Sequence, residues 1–423
     1  MLEIKGKVNT AVCYAKVIEP GAIEQIRRMC DYELTAGSQI RIMPDVHAGK
    51  GCTIGTTMTV TDKVCPNIVG VDIGCGMYTV QLAERQMDFE RIDRACHEIP
   101  SGLGVWEGRI ERFDLTQLRC YRSLRDTKRL ERALGTLGGG NHFIEIDRSE
   151  SGECYLVIHS GSRNLGKQVA ELYQRLAVDL HMGKEDYFRQ REELIRSYKA
   201  AGRRSEIQQA LKQLEKSYKT QELTVPEDLC WLYGSFLEDY LHDVEICQAF
   251  ARRNREKMAE IFLKKTGMTP VRAFHTIHNY IDTQERILRK GAIAAHKGEK
   301  VLIPINMRDG SILAVGRGNP QWNDSAPHGA GRVMSRTTAR NELSLEEYKA
   351  EMAGIYTTSV NADTLDEAPM AYKSLEDIID VVRDAVDVIE VLKPIYNFKA
   401  SGNERPWKKK GEKDAEAAPE KPA

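Results

Sequence analysis

What this chain lacks narrows its class before any motif is read. Its first residues, MLEIKGKVNTAVCYAKV, contain no apolar run of the signal-peptide kind, and no uninterrupted apolar stretch approaches the length of a membrane span, so the expectation is a cytoplasmic protein. Ten cysteines are present, but no Cys-x-x-Cys pair and no disulfide-like clustering, which argues against a zinc ribbon or a secreted scaffold and for reduced thiols packed mostly in a core. There is no surplus of either charge. With a formal net charge of -1, any nucleic-acid surface must be a local basic patch, and bulk charge neither supports nor excludes RNA. A Walker-type GxxxxGK[ST] loop is missing, as is any internal repeat.

What is present is a chain of 423 residues, 41% hydrophobic, able to bury a substantial core. To about Leu82, short apolar runs alternate with glycines (IRIMPDVHAGKGCTIGTTMTV, NIVGVDIGCGMYTVQL), the pattern of strands joined by tight turns that carry polar groups. Residues 91–134 are charged and mostly helical in period. LGTLGGGNHFIEI and CYLVIHSGSRNLG then read as strands feeding glycine-rich loops. From 167 to 266 the chain is charged and helix-favouring, a helical insertion whose charge runs read best as solvated faces; the alternative is a basic edge (Arg252, Arg253, Arg255) along a phosphate backbone. KVLIPINMRDGSILAVGRGN reads as strand, loop, strand, and LSLEEYKAEMAG and LEDIIDVVRDAVDVIEVLK as helices. Residues 402–423 have nothing to bury and are expected to be disordered.

The polar residues at the turns carry the chemistry. In VDIGCGM, Asp72 and Cys75 stand three apart beside glycines, where a carboxylate and a thiolate can reach one metal. His142 in GGGNHF, His159 in LVIHSGSR and His278 in HTIHNY lie at similar junctions. Together the five form the donor set of a one- or two-metal site, against the alternative that each is an ordinary turn or core residue. Cysteine and histidine favour zinc; an added carboxylate and phosphate oxygens favour manganese or magnesium. GGGN at 138–141, GRGN at 316–319 and GAGR at 329–332 offer backbone N–H groups to a triphosphate, with Arg332 and Arg336 adding charge. His328 stands between a proline and Gly329-Ala330-Gly331, where the backbone can come very close to a ligand.

MPDVHAGKG (43–51), VGVDIGCGM (69–77), LGGGNHFIEI (137–146), VIHSGSRNLG (157–166), IHNY (277–280), RKGA (289–292), SAPHGAGRVMSR (325–336) and DEAPMAYK (366–373) occur in the order found in the RtcB-type RNA ligase family, which the chain resembles from about residue 5 to 400 outside the helical middle. The resemblance implies an α+β fold: a single compact body over 1–401, with mixed β-sheets flanked by helices and the helical insertion at its side. It also implies an enzyme that joins an RNA 3'-phosphate or 2',3'-cyclic phosphate end to a 5'-hydroxyl end, in RNA repair or tRNA splicing, with GTP and two manganese ions through a histidine-guanylate. By the same resemblance Asp72, Cys75, His142, His159 and His278 are the metal ligands and His328 the guanylylated nucleophile. Asn141, Glu145, the 329–331 loop, Tyr372 and Lys399 bind the nucleotide, and Asp45 lies by the incoming 5'-hydroxyl.

The chain departs from the family at two places. Residues 304–308 read PINMR where Pro-Gly-Ser-Met-Gly is usual, and Ala400 follows Lys399 in place of a glycine, so bulk is expected near the guanosine pocket. A divergent paralogue follows. Two other readings stay open: a metal-dependent cyclic phosphodiesterase or phosphohydrolase that never forms the adduct, and a non-catalytic RNA-binding factor.

Overall fold

The computed structural model describes residues 1–219 and 221–400; the tail expected to be disordered lies outside the described residues. Two sheets organise the chain. One has seven strands, all antiparallel, in the order Pro270–Ile277, Gly76–Leu82, Cys154–Ser160, Phe143–Arg148, Val386–Lys399, Gly310–Gly316 and Lys300–Asn306. Because side chains alternate along a strand, Val80, Leu82, Ile144, Ile146, Leu156 and Ile158 face outward onto Ile92, Met258 and Phe262 of the helices Phe89–His97 and Gly234–Thr266. Met77, Phe143, Tyr155, Val157, Leu302 and Leu313 face inward. The sheet curls until its two outermost strands meet, where the backbone N–H of Leu302 donates to the Thr276 hydroxyl at 3.1 Å.

The second sheet has six strands in the order Leu2–Lys5, Thr10–Cys13, Ile40–His47, Ile54–Thr59, Ile287–Lys290 and Asn279–Asp282, with one parallel pair, Thr10–Cys13 beside Ile40–His47. It packs Ile40, Ile42, Met58 and Leu288 against the helices Pro20–Cys30, Arg163–His181 and the first half of Gly234–Thr266, the largest core of the molecule. The expected α+β class with mixed sheets and flanking helices is therefore the observed one. Among the described residues no helix is long and apolar enough to cross a membrane.

Three expectations differ in detail. Residues 91–134 hold only two short α-helices, Phe89–His97 and Thr127–Arg132, the remainder being turns and single 3-10 turns. DVIEVLK continues no helix; it lies in Val386–Lys399, where the β-branched residues 386, 388 and 391 pair along Gly310–Gly316, with a register shift at 389. Within 167–266, the ends belong to the main body: Gly234–Thr266 buries fourteen of its residues, among them Tyr240, Phe250 and Phe262. Only the hairpin Glu185–Ala200 and Ile207–Ser217 stands apart, with Ala210 its one buried residue.

Candidate active site

The loop between Val69 and the strand Gly76–Leu82 carries Asp72 and Cys75, and two further loops deliver the histidines: His142 just before Phe143–Arg148, and His278 between Pro270–Ile277 and Asn279–Asp282. His159 lies on Cys154–Ser160, opposite Met77 in register. These five side chains, scattered over more than two hundred positions, come into contact. Cys75 Sγ is 3.5 Å from His142 Nε2 and 3.3 Å from His159 Nε2. His142 Nε2 is 3.0 Å from Asp72 Oδ2, and the Nε2 atoms of His159 and His278 are 3.0 Å apart. Two groups of donor atoms result, Asp72/Cys75/His142 and Cys75/His159/His278, each within 4.8 Å and sharing the sulfur of Cys75.

The donor chemistry fits divalent cations. His142 Nδ1 faces the Leu137 carbonyl at 2.8 Å and His159 Nδ1 the Asn141 carbonyl at 3.0 Å, an arrangement that puts the ring proton on Nδ1 and leaves the Nε2 lone pair aimed at the cluster. Burial holds His159 and His278 far below the ordinary imidazole range, and the neighbouring imidazoles add to it. Burial pushes the Cys75 thiol up and the Asp72 charge pushes it further. Neutral imidazoles with lone pairs turned on one another beside a carboxylate and a sulfur are mutually repulsive until a cation lies among them.

A second layer fixes these loops. The wholly buried Arg255 donates from Nη1 to the carbonyls of Gly74 and Ser160, both at 2.7 Å. Asn254 accepts from Gly135 and Thr136 and donates to Gly161 O at 3.1 Å. The basic edge read from the sequence is thus divided. Arg252 pairs with Glu256, Arg253 with Glu111 and Glu260, and Arg255 points inward, neither solvated nor facing a phosphate path. Phase explains it: in Gly234–Thr266, residues 247, 251, 254, 255 and 258 share the buried face.

His328 follows the short strand Ser325–Pro327 and its ring centroid lies 5.0 Å from that of His278. Its Nδ1 is held by Asp45 Oδ2 at 2.7 Å, which leaves Nε2 as the unheld ring nitrogen. Asp45 is fully buried in Ile40–His47, so the structure places it first of all on the ring of His328. Gly331 answers why the segment is glycine-rich: it has φ +71°, and a Cβ there would sit 2.6 Å from the Asp45 carbonyl oxygen. The RKGA motif ties down the same strand through Arg289 and the loops around Cys52 and Asn67 through Lys290. Arg289 donates to Ser325 Oγ at 2.8 Å and to Tyr280 OH at 3.0 Å, and Lys290 to the carbonyls of Cys52 and Asn67.

A cavity of about 300 Å³ opens beside His328, with His159 and His278 at one end and Asn141, Glu145, Tyr372 and Lys399 in its wall. Glu367, also in the wall, gathers cationic and hydroxyl partners. Lys399 Nζ lies 2.8 Å from it, Tyr372 OH donates to it at 2.8 Å, and Arg336 pairs with both Glu367 and Asp366. Burial works against ionisation of Glu367, yet the Lys399 and Arg336 charges overcome it and hold the carboxyl down at about 2. GGGN contributes Asn141 to the wall, whereas GRGN does not reach the cavity: its glycines pack against Ala295, His296 and Lys297. The altered 304–308 segment lines the cavity without closing it, because Arg308 turns away to Asp309 and Glu351 and Met307 packs on Tyr348. Sequence reasoning missed Glu367, Asp366, Asn397 and His47. The first two stand inside the quoted DEAPMAYK motif, and Asn397 two positions before Lys399 on the same strand face.

A curled sheet with a thiol, carboxylate and imidazole cluster at one end of its cavity and a carboxylate-held histidine beside it defines an enzyme of the RNA ligase class. The family described as "tRNA-splicing ligase RtcB" matches residues 25–119 and 107–400. The chain is 31% identical over 406 residues to the RNA-splicing ligase RtcB of Escherichia coli strain K12, covering 85% of this chain and 90% of that protein. It is 26% identical to the tRNA-splicing ligases RtcB of Aeropyrum pernix, over 80% of this chain and 83% of that one, and of Thermococcus kodakarensis, over 81% and 83%. The chain belongs to the RtcB family.

Proposed function

We propose that the protein joins an RNA 3'-phosphate or 2',3'-cyclic phosphate end to a 5'-hydroxyl end, with GTP and manganese, by way of a guanylate on His328. The observation that carries the reading is the Asp45–His328–His278 arrangement: a carboxylate on Nδ1 keeps the proton there, so the Nε2 lone pair is directed at a cavity bordered by the Cys75 cluster. Attack by Nε2 on the α-phosphorus of GTP forms a phosphoramidate and releases pyrophosphate. A 3'-phosphate oxygen of RNA then takes the GMP, freeing His328, and the 5'-hydroxyl oxygen attacks the activated phosphate, loses its proton and releases GMP. Asp72, Cys75, His142, His159 and His278 would hold divalent ions, which would neutralise phosphate-oxygen charge and, for a cyclic end, lower the pKa of a water. In this reading Asn141, Glu145, the 329–331 loop, Tyr372 and Lys399 hold the nucleotide. The work of the chain is positioning and charge, as in phosphoryl transfer generally.

Radiolabelled GTP with manganese is expected to give an acid-labile, base-stable protein adduct, lost in His328→Ala, and the wild-type protein to join a 3'-phosphate RNA to a 5'-hydroxyl RNA. Absence of adduct with every nucleotide and metal, with cyclic-phosphate opening retained in His328→Ala, would replace ligation by the phosphodiesterase reading.

A further inference from the structure

Strand Phe143–Arg148 sets Glu145 and Asp147 two residues apart, hence on one face, the inner face of the curled sheet. Glu145 lines the nucleotide cavity and accepts from Asn397 Nδ2 at 2.5 Å. Asp147 lies one step deeper, wholly buried, and neither of its oxygens accepts a hydrogen bond from an N–H or O–H of the described residues. Its polar neighbours are the Glu145 carboxyl, the next side chain on the same strand face, and Ser311, whose hydroxyl has no partner of its own. Two neighbouring carboxyls buried side by side resist being ionised together; one proton between them turns repulsion into a strong charge-assisted bond.

The surroundings decide which carboxyl carries that proton. Glu145 faces the Asn397 amide and the Lys399 ammonium, from the strand Val386–Lys399, and both favour its anion. Asp147 has the Glu145 carboxyl beside it, with Ser311 alone to favour ionisation. Burial and the Glu145 charge accordingly push Asp147 far above the ordinary carboxylate range. Burial raises Glu145 too, against the opposing pull of Asp147, Asn397 and Lys399.

We propose that Asp147 is a positioning residue for base selection: it donates its O–H to Glu145 and so keeps Glu145 an acceptor-only carboxylate toward the base of the bound nucleotide. The proposal rests on the reading of the cavity as a GTP site. Guanine presents two donors side by side, N1–H and the exocyclic amine, which an ionised carboxylate accepts together. Adenine presents an acceptor at N1 beside its amine, which a protonated carboxyl matches instead. The location of one proton therefore selects the base.

Asp147→Asn keeps a donor to Glu145, and Asp147→Leu removes it while keeping the branch at Cγ. Labelling with GTP and with ATP, compared in both variants from pH 6 to 9, is expected to leave the GTP:ATP ratio of the Asn variant close to wild type. The Leu variant should lose about tenfold of that ratio at neutral pH, as expected for one hydrogen bond, and regain it as pH rises and Glu145 ionises. A merely structural role would not give that recovery. A folded Leu variant with the wild-type ratio at every pH, or an Asn variant as impaired as Leu, overturns the proposal. Infrared spectra at pH 7 supply a readout free of nucleotide: a protonated-carboxyl band present in wild type and lost in Asp147→Asn is expected, and its absence from wild type also overturns the proposal. The band present in a protein that takes label from no nucleotide overturns the GTP reading.

Discussion

Asp45 lies in the six-stranded sheet and His328 just after the strand Ser325–Pro327, and Gly331 lets the chain pass against the Asp45 carbonyl between them. Since the Asp45 carboxylate fixes the ring tautomer, its loss acts on chemistry more than on binding. Asp45→Ala is expected to lower the rate of adduct formation by about 10²-fold or more, and Asp45→Asn to do likewise when its amide faces Nδ1 and drives the ring proton to Nε2. GTP affinity should change little, so single-turnover labelling beside equilibrium binding checks the split; a matching loss of affinity would count against the orienting role. This pair also marks what was legible at the residue scale. The motif named Asp45 and His328 as functional, but their contact depends on two strands brought together by tertiary folding. Glu367 stayed unread for the same reason, since nothing local announces that Lys399, Tyr372 and Arg336 converge on it.

At the scale of elements, the long helix Gly234–Thr266 is the support of the donor loops. Arg255→Met retains bulk but leaves the Gly74 and Ser160 carbonyls without their donor. The expected results are a loss of roughly 1–3 kcal/mol in unfolding free energy and a manganese affinity weakened about 10–100-fold, measured by denaturant titration and calorimetry. Unchanged metal binding in a folded variant would remove the helix from the site. The hairpin at 185–217 is the opposite case. Its base is closed by Tyr218 OH on the Gly183 carbonyl at 2.6 Å and Gln221 N on the Met182 carbonyl at 3.0 Å, and it buries almost nothing against the body. Replacing 185–217 with a short glycine-serine linker is expected to leave the melting temperature within a few degrees, about 1 kcal/mol or less, and adduct formation intact; collapse of either would place the hairpin in the core. From composition alone the two regions were indistinguishable, both charged and helix-favouring. What separates them is burial: the apolar face of 234–266 meets a sheet, whereas the hairpin touches the body only near its base, where Phe188 packs beside Phe236. Strands flanked by glycines were the readable part, because period two survives in sequence, whereas 386–393, read as the end of a helix that began at 375, is held as strand by its sheet partners.

The whole molecule is a curled sheet and a mixed sheet held by shared helices, and His275 lies on one such joint. It is on the outer face of Pro270–Ile277, stacked on Tyr78 at 4.3 Å and 3.2 Å from Glu256 of the long helix. Burial holds its imidazole well below the ordinary value of 6.5, the Arg255 and Arg252 charges add to this, and Glu256 opposes it. The sign follows from linkage. Below pH 6.5 the unfolded chain takes up a proton at this position that the folded protein refuses, so stability falls with pH by up to about 1.4 kcal/mol per unit from this group; above 6.5 the group contributes no slope. His275→Phe keeps the ring on Tyr78 and removes the titration. Urea midpoints followed from pH 7.5 to 4.5 should therefore fall less steeply in the variant than in wild type, with the curves parallel above 6.5. Parallel curves throughout would mean that His275 protonates freely in the folded state, which in turn requires the helix to part from the sheet at this joint without global unfolding.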